Sequence, residues 1–169
     1  MRLRVLSYNI HKCIGGVDRK YDPARIVEVI QKLDCDVVML QEVDAGVSRS
    51  RGDRQVEILG DALGMPHRTW HPNVAVRGGG HYGNAILSRY PVIESTNIDR
   101  SIKWKKKRSV LHGVLRVRLA ARARGLDLDH IIVASTHQHE GQDTLGLWGQ
   151  VPLVRSIDIN PLLADADGV

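Results

Sequence analysis

The sequence predicts an α/β protein, or its close α+β relative, and three observations point there. Short apolar, β-prone runs alternate with two amphipathic helical segments as far as Gly64. Beyond Gly64 the pattern turns to strands. Three of the apolar runs stop abruptly on a polar residue, as strands do where an α/β sheet gathers its ligands.

The elements follow in order. "LRVLSYNI" is a buried strand ending in Asn9. "DPARIVEVIQKL" is a helix with Asp22 as N-cap and Pro23 at the first helical position. Its Ile26, Val29, Ile30 and Leu33 share one face. "CDVVMLQEV" is a second buried strand. "DRQVEILGDALG" is a second helix, expected to be capped by Asp53, with Val56, Leu59 and Leu63 on one face and Gly64 at its end. "HRTWHPNV" and "NAILSRY" are strands, and Pro91 ends the latter or opens an edge strand. In "SVLHGVLRVRL", Leu111, Gly113, Leu115, Val117 and Leu119 face one way. "HIIVASTH" is another apolar run with a polar end. A last helical stretch is expected from about Gln142 to Ala164, interrupted by Pro152 and Pro161. No internal repeat or low-complexity linker divides the 169 residues, so one domain is expected.

Composition narrows the function classes. The chain is 43% hydrophobic and 25% charged, enough apolar content for a core, which Leu, Val, Ile and Trp must fill because Phe is absent. A net charge of +5 favours phosphate-bearing partners, nucleic acid or anionic head groups, though simple solubility explains it as well. Cys13 and Cys35 build neither a disulfide framework nor a Cys-x-x-Cys zinc pattern. "MRLRVLSYNI" is not a signal peptide, and no segment is long and apolar enough to span a membrane, so a cytoplasmic location is expected.

The polar endings are Asn9 after "VLSY", Glu42 after "VVMLQ" and His137 after "IIVAST". A carboxylate ending an apolar run either reaches water or holds a cation. Three strands delivering Asn, Glu and His to one sheet end would make a polar pocket over a dry core.

Together, "SYNI" at Ser7–Ile10, "LQEVD" at Leu40–Asp44, "YGNAILSRYP" at Tyr82–Pro91 and "STH" at Ser135–His137 resemble the endonuclease/exonuclease/phosphatase superfamily, in its motif order. "SYNIHKCIGGVDRKYDPARIVEVI" is similar to a bacterial branch of it. The resemblance implies a DNase I-like four-layer α/β sandwich and a metal-dependent phosphoesterase, acting on nucleic acid or on phospholipid or inositol-phosphate head groups. It implies Mg²⁺, with Mn²⁺ as a substitute, held by Glu42. It gives Asn9 a role in positioning metal or phosphate, and His137 a hydrogen bond to the scissile phosphate. Asn84, Lys105, Lys106, Arg108 and His112 are the candidate phosphate or substrate contacts.

The departures carry their own expectation. The family's Gly-Asp-x-Asn and near-terminal Asp-His motifs are not found. Asp158–Asn160 lacks the preceding Gly and is expected outside any strand, and Asp129–His130 starts a strand rather than ending one. The chain is therefore expected to be a single, incomplete domain over residues 1–169, a poor catalyst alone, with an exposed apolar sheet face that favours self-association.

"GGGHYG" at Gly78–Gly83 matches G-x-G-x-x-G, but a strand-like run follows it, so a loop before a strand is the better reading. His137 and His139 share a strand face and would suit zinc, giving a metallohydrolase as an alternative. "KWKKKR" at Lys103–Arg108 is a solvated loop or, with Trp104, a phosphate-contacting one, the basis for a catalytically dead anion- or nucleic-acid-binding module.

Overall fold

The computed structural model describes residues 2–99, 101, 109–116, 130–136 and 153–158. In chain order these form β1 (Arg2–Asn9), a 3-10 turn at His11–Cys13, α1 (Pro23–Leu33), β2 (Val37–Ala45), a 3-10 turn at Ser48–Ser50 and α2 (Gln55–Ala62). Six strands follow: β3 (His67–Ala75), β4 (His81–Ser88), β5 (Val92–Asp99), β6 (Ser109–Arg116), β7 (His130–Thr136) and β8 (Leu153–Asp158). A five-stranded sheet runs β3-β4-β2-β1-β8 and a three-stranded sheet runs β5-β6-β7. The α1 crossover makes β1 and β2 parallel, while β4 and β8 join them antiparallel.

Strand periodicity sorts the core into two layers. Leu6, Tyr8, Val38, Leu40, Ala85 and Leu87 face the helices and meet Ile30, Val56 and Leu59, with Ile26, Val29, Leu33 and Leu63 packed at the margin. Leu3, Val5, Val37 and Ile86 face the other way and meet Leu111 and Leu115 of β6. The order is thus helices, five-stranded sheet, three-stranded sheet. Both faces of the central sheet are thereby covered, as the expected sandwich requires. Each fully buried Leu or Ile contributes about 1.5–3 kcal/mol through removal from water.

Asp22 caps α1 as its position predicts, its Oδ1 accepting from the Ala24 N–H at 3.0 Å. Two expectations fail. Asp53 does not cap α2: the capping position belongs to Arg54, with no side-chain hydrogen bond, and Asp53 instead accepts from the Tyr21 hydroxyl at 2.9 Å. The stretch expected as a helix from Gln142 to Ala164 contains β8, which pairs with β1 from Leu153 opposite Ser7 to Asp158 opposite Arg2. Asp158 therefore closes a strand rather than lying outside one. An unpaired strand edge on β1 can recruit even a short segment with little intrinsic helical or strand preference.

The glycine run is the loop of the β3–β4 hairpin, with positive φ at Gly78, Gly79 and Gly80. Pro91 immediately precedes β5, an edge strand of the smaller sheet. Among the described residues no helix is long and apolar enough to cross a membrane.

Candidate functional site

The alternation of β2 breaks at one place. Val38 and Leu40 belong to the helix-side core, so strict period two would send Val43 to the opposite face, yet Val43 packs on the helix side as well. The pairing with β4 shows why. Leu40 lies opposite Ala85 and Val43 opposite Gly83, so Gln41 and Glu42 together oppose Asn84. This is a β-bulge, a device that re-aims a side chain at the end of a ladder. Glu42 sits in the left-handed region at φ 56, which a residue with a β-carbon adopts only when its surroundings hold it there. Its residue is 7% exposed, and its carboxylate is ion-paired with the ammonium of Lys12.

β1 brings Asn9 to the same end. Parallel pairing places Asn9 opposite Gln41, and the Ile10 N–H donates to the Gln41 carbonyl at 3.2 Å. The exposed Asn9 accepts through Oδ1 from the His11 N–H at 3.0 Å, which fixes its amide. Gln41, buried, donates through Nε2 to Ser7 Oγ at 3.3 Å and to the Met39 carbonyl at 3.2 Å.

Lys12 reaches Glu42 from a tightly wound loop in which His11, Lys12 and Cys13 all have positive φ. A fully buried glutamine holds that loop: Gln55 Nε2 donates to the Lys12 carbonyl at 2.7 Å, while its Oε1 accepts from the Asp44 N–H at 2.8 Å. One side chain at the start of α2 thereby locks β2 to the Lys12 loop.

Asp44, with 0% exposure, is fully engaged. Arg49 binds it in bidentate fashion at 2.9 and 2.8 Å, and Ser50 Oγ donates to it at 3.0 Å. The Arg49 guanidinium lies 5.5 Å and the Lys12 ammonium 5.9 Å from the centre of the Tyr82 ring. Burial, and then the charge of Glu42, pushes the Tyr82 hydroxyl above its ordinary pKa, so it remains a donor.

The smaller sheet meets this end through Asn84 and Ser109. Asn84 is buried and donates through Nδ2 to the Ser109 carbonyl at 3.1 Å. Ser109 Oγ donates to Asn73 Oδ1, at a second irregularity where β3 slips between Pro72 and Val74. His71, opposite Asn84, has Nε2 at 3.5 Å from Ser95 Oγ of β5. A polar row of His71, Asn84, Gln41 and Asn9 thus crosses four adjacent strands where the apolar inter-sheet core ends.

The structure therefore brings Asn9, Glu42 and Asn84 together. β7 ends near the same place, Thr136 lying opposite Val110, the chain neighbour of Ser109. His137, His139, Lys105, Lys106 and Arg108 lie outside the described residues. His112 is not brought in. It alternates with the buried Leu111 and Gly113, so it stands on the face of β6 turned away from the five-stranded sheet. Lys12, Gln41, Gln55 and His71 also belong to this end, although the motifs do not single them out. Only Lys12 left a signal, a cation three residues after a strand that ends in Asn9.

The donors suit a small hard cation. Among the described residues no three of His, Cys, Asp and Glu converge as a metal cage. Mg²⁺ needs no cage, binding through one or two carboxylates and completing its shell with water and phosphate oxygens. Glu42 and Asn9 supply such oxygens at one strand end, and the Lys12 pairing shows that the carboxylate accommodates a cation.

The profile of the Endonuclease/Exonuclease/phosphatase family matches residues 6–133, and the chain belongs to that family. It is similar to the uncharacterized protein YbhP of Escherichia coli (strain K12), 27% identical over 152 residues that cover 86% of this chain and 59% of YbhP. Among solved structures it resembles the endonuclease/exonuclease/phosphatase from Beutenbergia cavernae DSM 12333, with a TM-score of 0.65 and 25% identity over 80% of this chain and 38% of that one. It shares its fold with TDP2 from Caenorhabditis elegans, with a TM-score of 0.55 at 17% identity, over 84% of this chain and 37% of that one. The chain thus spans little more than half the length of the curated relative and well under half of these solved chains.

Proposed function

We propose that the chain carries the metal-binding half of a Mg²⁺-dependent phosphoesterase, with Mn²⁺ able to substitute. The observation that supports it is the bulge that sets Glu42 at the sheet end where Asn9 also closes its parallel strand. Family membership supplies the reaction class, hydrolysis of a phosphoester.

In this reading Glu42 and Asn9 hold the ion. When bound, it would polarise the phosphoryl group and offset charge on the leaving oxygen. The protein's own part is orientation. Gln55 and Gln41 fix the backbone from which Lys12 and Glu42 project. His137, the residue after β7, donates a hydrogen bond to the phosphate. Lys105, Lys106 and Arg108 precede Ser109, where β6 enters this end, and serve as phosphate contacts. The charge of +5 suits a phosphate-bearing substrate, with only a slight tilt to nucleic acid over lipid or inositol-phosphate esters. The outer face of the smaller sheet, with Ile98 45% exposed, is where self-association would occur.

The test is a panel of esters offered to the purified protein: a model phosphodiester, a phosphomonoester, single-stranded DNA and a phosphoinositide. Each is assayed with Mg²⁺, Mn²⁺, Zn²⁺ or chelator, for wild type and Glu42→Gln. Hydrolysis that needs Mg²⁺ or Mn²⁺ and drops at least about a hundredfold in the variant supports the proposal. Salt-sensitive binding of DNA with no turnover of any ester points instead to a binding module. Turnover with Zn²⁺ alone points to the zinc alternative.

A further inference from the structure

Among the described residues, the cation in contact with the Glu42 carboxylate is the protein's own Lys12. Lys12 and Glu42 form a largely buried pair, their side chains 17% and 9% exposed. A carboxylate this far from water cannot stay charged without a partner. The backbone of Lys12 is held independently of that pair, through the left-handed turn at His11–Cys13 and the Gln55 hydrogen bond to its carbonyl. Its four-carbon stem can therefore swing the ammonium away while the loop stays in place.

We infer that Lys12 is a built-in counter-ion. It occupies the cation position at Glu42 in the metal-free protein and is displaced when a divalent cation binds. This rests on the proposed metal-dependent reading and adds a residue to it. Two considerations require displacement rather than coexistence. An ammonium and a divalent cation on one carboxylate repel each other in a site with little water to screen them. The charge balance is also better served by exchange, since the buried carboxylate then always has one cation. Lys12 thus keeps the empty site folded, and the cost is a lower affinity for metal.

The experiment is Mn²⁺ binding by titration calorimetry to the wild type, Lys12→Met and Arg51→Met. Arg51 lies at 5.6 Å over the Tyr21 ring and is not paired to Glu42, so its variant controls for general loss of positive charge. An opposite charge in contact shifts a carboxylate's proton affinity by roughly one to three units, so Lys12→Met should bind Mn²⁺ about tenfold tighter or more. Arg51→Met should stay within about twofold of wild type, as expected for an exposed charge screened by solvent and salt.

A second measurement needs no variant. Amine acetylation of the wild type, mapped by mass spectrometry, should show Lys12 modified several times faster with saturating Mn²⁺. Lys32, whose surface pair with Glu28 is remote from the site, should not change. Equal or weaker Mn²⁺ affinity in Lys12→Met, absence of Mn²⁺ binding by both proteins, or an unchanged Lys12 acetylation rate overturns the inference. If Lys12→Met does not fold, the acetylation result decides. Neither readout involves turnover. A protein that releases Lys12 on binding Mn²⁺ but hydrolyses no ester would refute the proposed activity and leave the counter-ion standing. Hydrolysis with Lys12 still bound would do the reverse.

Discussion

Asp44 receives three hydrogen bonds on a carboxylate that has no exposed surface. Asp44→Ala would leave Ser50 buried with one bond fewer and Arg49 without its partner. Because Arg49 remains about one-third exposed and can rehydrate, the expected loss is about 2–3 kcal/mol, read from urea unfolding. Cys13 responds to the same neighbourhood. Burial, followed by the charges of Asp44, Asp22 and Asp53, pushes its thiol up to about 12. Both causes favour the neutral thiol, so it should react with a disulfide reagent at pH 8 only as fast as the protein opens. Rapid reaction in the native protein at pH 8 would contradict the packing around it. At this scale Glu42 was legible because a carboxylate ending an apolar run demands an explanation. Lys12 was not, since nothing in "HKC" reveals that three successive left-handed residues turn it back onto β2.

The elements that shape the site are the two irregularities beside β4, and Gly83 lies between them. A β-carbon there would stand 1.9 Å from the His71 carbonyl oxygen, a backbone atom with nowhere to move. Gly83→Ala should therefore prevent native pairing of β3 with β4, giving an insoluble or unfolded protein by circular dichroism. Gly16→Ala, with nothing within 4 Å, should melt as wild type to within about 0.5 kcal/mol. Removing the α1 cap by Asp22→Ala should cost about 1 kcal/mol, whereas Asp53→Ala should leave α2 capping unchanged and act through Tyr21. Local chemistry explains what was readable. Asp22-Pro23 states a helix start within two residues, and the period of β6 states which face is buried. Asp53 offered the same local signal as Asp22, but the Tyr21 hydroxyl, distant in sequence, took its carboxylate. The bulge leaves no local signature, because whether Gln41 and Glu42 share one partner is decided on β4. β8 is likewise set by the open edge of β1 rather than by its own residues.

Across the whole molecule, the two core layers rest on one alternation, and the site lies where that alternation runs out. Apolar residues fill the space between the sheets up to Met39 and Ile86. Two residues further along, the polar row of His71, Asn84, Gln41 and Asn9 begins. The fold class was visible in the sequence because it depends on patterns within segments. The site was visible only in its strand-end residues, because the rest is assembled from loops and from a neighbouring strand's register. A divalent cation bound at Glu42 is central to the proposed function, and the most direct measurement is the anomalous scattering of Mn²⁺ in crystals of the protein grown or soaked with it. A peak about 2.2 Å from a Glu42 carboxylate oxygen, with Lys12 moved off that carboxylate, is the predicted result. Glu42 still paired with Lys12 at saturating Mn²⁺, and no peak at this strand end, would contradict it.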